Sequence, residues 1–322
     1  MIRLALTLLS ALLGLAGCVA SAPPTSPTDP AALPPVRVTF LPITDVVPFF
    51  VAQEEGEFAA AGLQVEAVPA SSAAERETLI QSNAADCELT DIHSVVLTNA
   101  RDAQPLRIVA TTRQATADVP VFFLLTAPDS AITTPAQLAG ANLGISENTV
   151  IDYWQDRIVR AAGVDPATIT YTSVPQIAVR LELLLSGQLD AAVLPDPLAA
   201  LAQLQGATVL LDDTTLPAAG VSVLACRADF LAEQRAAVAA LVTGWDQAIA
   251  AINADPAAYR EVLLAHTNVP APLQDRYDLP SLPVQQIPSE AQVRDVVAWA
   301  VDEGLIDAPL AYDQIVDATF RP

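Results

Sequence analysis

The chain has 322 residues, 52% hydrophobic and 16% charged, enough for about two domains with well-filled cores. Its 15 cations face 37 acids, a formal charge of -22, and every cation is Arg, with no Lys anywhere. This excludes a basic face for nucleic acid, docking on anionic lipid, Lys-dependent chemistry such as a Schiff base, and a disordered chain.

The N-terminus has one Arg3 ahead of an apolar run, 4–15, too short to span a bilayer and shaped like the core of a signal peptide. It ends in Leu15-Ala16-Gly17-Cys18, which resembles a bacterial lipobox and implies cleavage before Cys18 with lipid on its sulfur; an ordinary signal peptide with an incidental Cys is the alternative. The Pro-rich stretch 21–35 reads as an extended tether. The expected organisation is therefore a signal peptide over 1–17 and a lipid-anchored linker over 18–35. The folded body would sit outside the cytoplasmic membrane. Cys87 and Cys226 could pair in that oxidising setting, but two separate buried thiols are the favoured reading. Neither has the neighbours a zinc site needs, and no metal or other cofactor is expected.

From Val36 the chain alternates apolar runs with helical patterns, as an α/β fold does, and the pattern occurs twice. The first pass has strands over 36–40, 64–68 and up to Asp91, with helices over 49–60 and 74–81. The second has strands over 142–145, 169–173 and up to Asp196, with helices up to Ala162 and over 176–185. Matching features lie roughly 100 residues apart: AAAG ending at Gly62 answers AAG ending at Gly163, and SNAAD ending at Asp86 answers SGQLD ending at Asp190. Gly or Asn after a helix suits a left-handed cap. Generic α/β punctuation is the plainer explanation of the same pattern.

Ligands of open α/β sheets bind outside the carboxyl ends of the strands. Segments 44–49, 90–94, 146–150 and 194–198 stand there, two from each pass, which predicts a cleft between two lobes. Lobe I is expected over 36–124 and 222–322, and lobe II over 125–221. The apolar runs 121–126 (VFFLLT) and 220–225 (GVSVLA) read as crossover segments forming a hinge between two parallel-type sheets. The C-terminal part is largely helical, over 230–253 and 290–303, with Trp245 and Trp299 facing the core.

Several runs also match a known family. Pro42-Ile43-Thr44-Asp45 with Pro48-Phe49-Phe50-Val51-Ala52, Pro105-Leu106-Arg107-Ile108, Leu138-Ala139-Gly140, Arg180-Leu181-Glu182-Leu183-Leu184 and Gly187-Gln188-Leu189-Asp190 carry the likeness. They resemble extracytoplasmic solute-binding proteins that serve ABC importers for nitrate, sulfonates, taurine and thiamine-precursor pyrimidines. The resemblance runs from Val36 to about Leu264. It implies a two-lobed periplasmic binding protein fold of type II, and domain closure around a small-molecule cargo. Its partners would be an ABC permease and its ATPase, and it would act as a monomer held to the membrane only through its lipid. Enzymes of pyrimidine synthesis resemble this family but carry a cysteine-rich motif and a reactive histidine. Here the cysteines are isolated and only His93 and His266 occur, so an enzyme is not expected. A sensory module on the same fold is a further alternative.

The strand-end segments supply the candidate site: Thr44, Asp45, Phe49, Thr90, Asp91, His93, Ser94, Ser146, Glu147, Asn148, Thr149, Pro195 and Asp196, with Tyr153 in the following helix. Four of these are carboxylates and none is Arg; Arg113 is the one cation placed near the cleft. A desolvated anion would meet repulsion there, so the expected cargo is a neutral or weakly basic nitrogen heterocycle, stacked on an aromatic ring, with an anionic cargo as the alternative. For each carboxylate, helix capping is the competing role. Phe50 and Trp154 read more naturally as core.

Overall fold

The computed structural model describes residues 33–101, 104–216 and 218–321; the expected signal peptide, Cys18 and the expected tether up to residue 32 lie outside the described residues. In chain order the strands are β1 (Val36–Phe40), β2 (Val65–Pro69), β3 (Cys87–Asp91), β4 (Leu106–Gln114), β5 (Phe122–Thr126), β6 (Asn142–Ile145), β7 (Thr170–Ser173), β8 (Ala191–Pro195), β9 (Thr208–Asp212) and β10 (Val221–Arg227). They form two five-stranded sheets, β2-β1-β3-β10-β4 and β7-β6-β8-β5-β9. Matching β1–β4 to β6–β9 and β10 to β5 makes the two orders identical.

The repeat extends to local chemistry. Gly62 and Gly163 both end a helix at positive φ (72° and 79°), and Asn83 and Gly187 do so at the next helix end (58° and 72°). The aspartates that close SNAAD and SGQLD perform one job. Asp86 accepts the backbone N–H of Arg37 at 3.0 Å, and Asp190 accepts that of Asn142 at 2.7 Å. Each thereby ties the start of one central strand to the entry of its neighbour.

The sheets are mixed, and this corrects the reading of the two apolar runs as crossovers. Residues 122–126 and 221–227 are the strands β5 and β10, each antiparallel to both neighbours. The chain changes sheets just ahead of them, over 115–121 and 213–220. An apolar run of six is what a strand covered on both faces requires, and each points backwards because it enters from the other sheet. The two passages are tied together by the buried Asp213, whose carboxylate accepts the N–H groups of Val121 (2.8 Å) and Phe122 (3.2 Å). Burial pushes that carboxyl up to about 6.

Alternate residues of the central strands enter different cores. Leu124 and Val193 join a core shared with Val223, Ile108 and Trp154, while Phe123, Leu125, Ala192 and Leu194 pack against Leu181 and Leu184 on the other face. Helix Arg235–Ala254 covers the outer face of the first sheet with Trp245, and Trp299 of helix Glu290–Asp302 joins the shared core. The helix expected over 230–253 is broken at Gln234, between Ala228–Glu233 and Arg235–Ala254. Cys87 and Cys226 form a disulfide, against the reading of two free thiols. They face each other in the antiparallel register of β3 and β10, a pairing that depends on β10 returning from the second sheet.

Candidate functional site

A cavity of about 80 Å³ opens at the carboxyl ends of β1, β3, β6 and β8. All four predicted strand-end segments reach it, through Asp45, Thr90 with Asp91, Ser146 with Thr149, and Pro195. Phe122 and Ser222 of the two antiparallel strands close it, and Leu41, Ile43, Leu89, Ile151 and Ile177 make the rest of its wall largely apolar.

Several predicted residues serve the fold instead. Phe49 lies in the core, Phe50 stacks on His266 at 3.6 Å, and Trp154 is fully buried. The Tyr153 hydroxyl donates to Asp295 at 2.6 Å, away from the cavity. Thr44 is bonded to Tyr277 at 3.0 Å. His93 packs on Trp299 with neither ring nitrogen bonded among the described residues, and burial pulls it down to about 3, so it is neutral. Glu147, Asn148 and Ser94 line an adjoining groove, which shares Ala73 and Thr149 with the cavity, rather than the cavity itself. Two capping roles are realised: Asp91 accepts the N–H of Ser94 at 2.7 Å, and Thr149 accepts that of Ile151 at 3.2 Å. Arg113 is buried behind the wall, donating to Asp45 at 3.0 Å with Asp196 at 3.9 Å, and these partners hold its pKa above the usual arginine value against burial.

The residues that sequence reasoning missed are arginines. The four segments contain none, yet helices Ala73–Gln81 and Ile177–Leu185 send Arg76 and Arg180 to the cavity wall. Each is the fourth residue of equivalent helices in the repeat, and each donates to the third residue of the strand that follows: Arg76 to Leu89 O (3.1 Å), Arg180 to Val193 O (2.7 Å). Their surroundings then differ. Arg76 is held by Glu88 (3.2 Å), Glu77 (3.3 Å) and Asp91 (3.9 Å). In the second half those three positions are Leu181, Ala192 and Pro195. Arg180 keeps only backbone acceptors, Val193, Ile145 and Val174, and its Nη2 has no partner among the described residues. It is 1% exposed, and burial without a counter-charge lowers it to about 10, still charged at neutral pH. Gly144 passes close beneath it: a Cβ there would meet Leu189 Cδ1 at 2.5 Å and Arg180 Cγ at 3.3 Å, so Leu189 above all requires the glycine. The signal was legible: in both helices the Arg occupies the i+3 place of the inward-facing stripe (Ala73, Arg76, Ile80; Ile177, Arg180, Leu184), whose first members are half-buried and where an apolar residue belongs.

Glu88 pays for the crowding around Arg76. Burial and the nearby Glu77 push it up to about 8, although Arg76 opposes this. The folded protein therefore keeps a proton on Glu88 that the unfolded chain releases near 4.5, so this contribution to stability is lost as pH rises toward and through 8. Glu88 should contribute a fall in melting temperature between about pH 5 and pH 8 that levels off above pH 8, and Glu88→Gln should flatten that fall. An unchanged slope in the variant would show that Glu88 is ionised throughout.

Among the described residues no helix is long and apolar enough to cross a membrane, and no three His, Cys, Asp or Glu side chains gather as a metal site. A ligand-binding component of an ABC-type import system from Staphylococcus aureus, solved with zinc bound, has the same fold, with a TM-score of 0.74 at 14% identity over 89% of this chain and 97% of that one. The alkanesulfonate-binding protein SsuA from Xanthomonas axonopodis pv. citri, bound to MOPS, matches with a TM-score of 0.74 at 17% identity over 89% and 100%. The desulfurization enzyme DszB shares the fold too, with a TM-score of 0.68 at 16% identity over 88% and 97%. Among curated proteins none matches the sequence. The NMT1/THI5-like family model matches residues 43–259. With more than half of its length matched, and with the two-sheet fold of those solute-binding structures, the chain belongs to the NMT1/THI5-like family.

Proposed function

We propose that this protein is an extracytoplasmic solute-binding protein of an ABC importer, and that its cargo is a small organic acid. It works as a lipid-anchored monomer, closing lobe I (36–124 and 222–322) and lobe II (125–221) on the cargo and handing it to a permease and its ATPase. One observation carries the choice of cargo: Arg180 is a buried cation at the cavity wall with a free Nη2, and the acidic side chains that hold its counterpart Arg76, namely Glu77, Glu88 and Asp91, are replaced by Leu181, Ala192 and Pro195. A desolvated, unpaired guanidinium is costly, and an anion that reaches it recovers that cost. The heterocycle reading rested on strand-end segments that hold four carboxylates and no Arg, and Arg76 and Arg180, which reach the cavity wall from outside those segments, weaken that premise. The fold shared with importer components supports the transport role.

The test is a thermal-shift and calorimetry panel of alkyl carboxylates, alkyl sulfonates, nitrate and aminopyrimidines. Acids at 100 times their dissociation constant should stabilise by about 2.7 kcal/mol. Stabilisation by aminopyrimidines alone would overturn the acid reading. Mass spectrometry of the recovered ligand completes the test, because a chemically altered acid would mark an enzyme rather than a carrier.

A further inference from the structure

We propose that cargo binding is coupled to a proton on Glu88. The cavity takes an acid while that buried carboxyl is neutral, and where alkaline pH has removed the proton, each acid bound draws one back. This rests on the reading of the cavity as the seat of an acid.

The local charge balance is the first argument. Arg76 stands at the cavity wall with three carboxyl groups around it, Glu88 at 3.2 Å, Glu77 at 3.3 Å and Asp91 at 3.9 Å. Asp91 lines the cavity as well, and so does Asp45, which is held by Arg113 at 3.0 Å. One guanidinium thus serves three acids before any cargo arrives. An anion entering beside Arg76 and Asp91 adds a fourth negative charge to a desolvated cluster. Like charges crowded in that way are relieved when the least solvated of them takes a proton.

Geometry names that member. The Glu77 side chain is 26% exposed and accepts the hydroxyl of Thr98 at 3.0 Å. Asp91 accepts the N–H (2.7 Å) and the hydroxyl (3.1 Å) of Ser94. Glu88 is fully enclosed, and only its Oε2 is engaged, by Arg76. Its Oε1 has no partner among the described residues, and neither has the hydroxyl of Thr39, its register partner on β1. On the other side β10 sets Ala225 against it. The charges that face Glu88 are therefore Arg76 and Glu77 from helix Ala73–Gln81 and Asp91 at the end of its own strand, while helix Ile92–Ala100 brings the uncharged Ser94 to Arg76. A buried carboxylate oxygen without a donor is costly, and protonation removes most of that cost.

Calorimetry with a short alkyl carboxylate or sulfonate tests this, since both ligands stay ionised from pH 6.5 upward and any pH dependence belongs to the protein. The range ends at pH 9, where Arg180 keeps its charge. Affinity should be level around pH 6.5 to 7 and fall roughly fivefold between pH 7.5 and pH 9. Titrations at pH 9 in buffers of different ionisation enthalpy should show about half a proton taken up per ligand, and close to none at pH 6.5. Glu88→Gln, which cannot ionise, should abolish both the fall and the uptake. Should that variant not fold, Glu77→Gln decides. With the repulsion of Glu77 gone, Glu88 gives up its proton more readily, and the fall should begin at lower pH. Level affinity without proton uptake at pH 9, a fall that survives in Glu88→Gln, or one that does not move to lower pH in Glu77→Gln would overturn the coupling while the acid reading stands. Failure of every acid to bind at any pH would overturn both.

Discussion

Arg180→Gln should lower the affinity for a short alkyl carboxylate or sulfonate by 100-fold or more, measured by calorimetry at neutral pH. The magnitude follows from the site. Losing one partner of a buried charge pair costs roughly 2 to 5 kcal/mol, a factor from about 30 to several thousand. The stability of the free protein should move far less, for two effects oppose each other. The carbonyls of Val193, Ile145 and Val174 lose a strong donor, but the fold no longer buries a cation without a counter-charge. Arg180→Lys separates charge from geometry: a shorter point charge keeps the attraction but cannot hold both Val193 and Val174 while presenting a free N–H. It should recover only part of the lost affinity. Wild-type affinity in Arg180→Gln would mean that the guanidinium serves the strand ends alone, and the acid reading would fall.

Removing the Cys87–Cys226 bridge with a double Ala substitution should cost about 5 kcal/mol and lower the melting temperature by roughly 8 °C. The bridge spans a sequence separation of 139 residues, a span that contains the whole second sheet. Cross-linking across so long a span removes much of the freedom of the unfolded chain. It also fastens β10, the strand that returns from the second sheet, to the middle of the first. Thermal unfolding of the double variant, without reductant, gives the measurement. An unchanged midpoint would show that the register of β3 and β10 holds without the covalent link.

These two expectations divide what could be read early from what could not. The strand ends that meet at the cavity were legible, because an apolar run followed by polar residues is a local pattern and the general rule for α/β sheets places ligands there. Asp45, Thr90, Asp91, Ser146, Thr149 and Pro195 were found in that way and do line the cavity. Phe49, Tyr153 and His93 were not distinguishable from them by sequence position. Whether a side chain in the first turn of a helix faces the cavity or the core depends on how that helix rolls against its neighbours.

The sequence by itself determined the repeated unit. Its strands, its left-handed caps at Gly62, Asn83, Gly163 and Gly187, and its paired Asp86 and Asp190 all act within a few residues or on the adjacent strand, so short-range chemistry specifies them. The chain-wide excess of acid, by contrast, said little about the cavity. Only the tertiary structure decided that β5 and β10 exchange sheets, that Cys87 meets Cys226, and that Arg180 arrives at the cavity without the carboxylates that surround Arg76. Each of these depends on partners drawn from distant parts of the chain. The charge that matters to a ligand is the local, desolvated balance those partners create, and a protein of net charge -22 can still present an unpaired cation at its cavity wall.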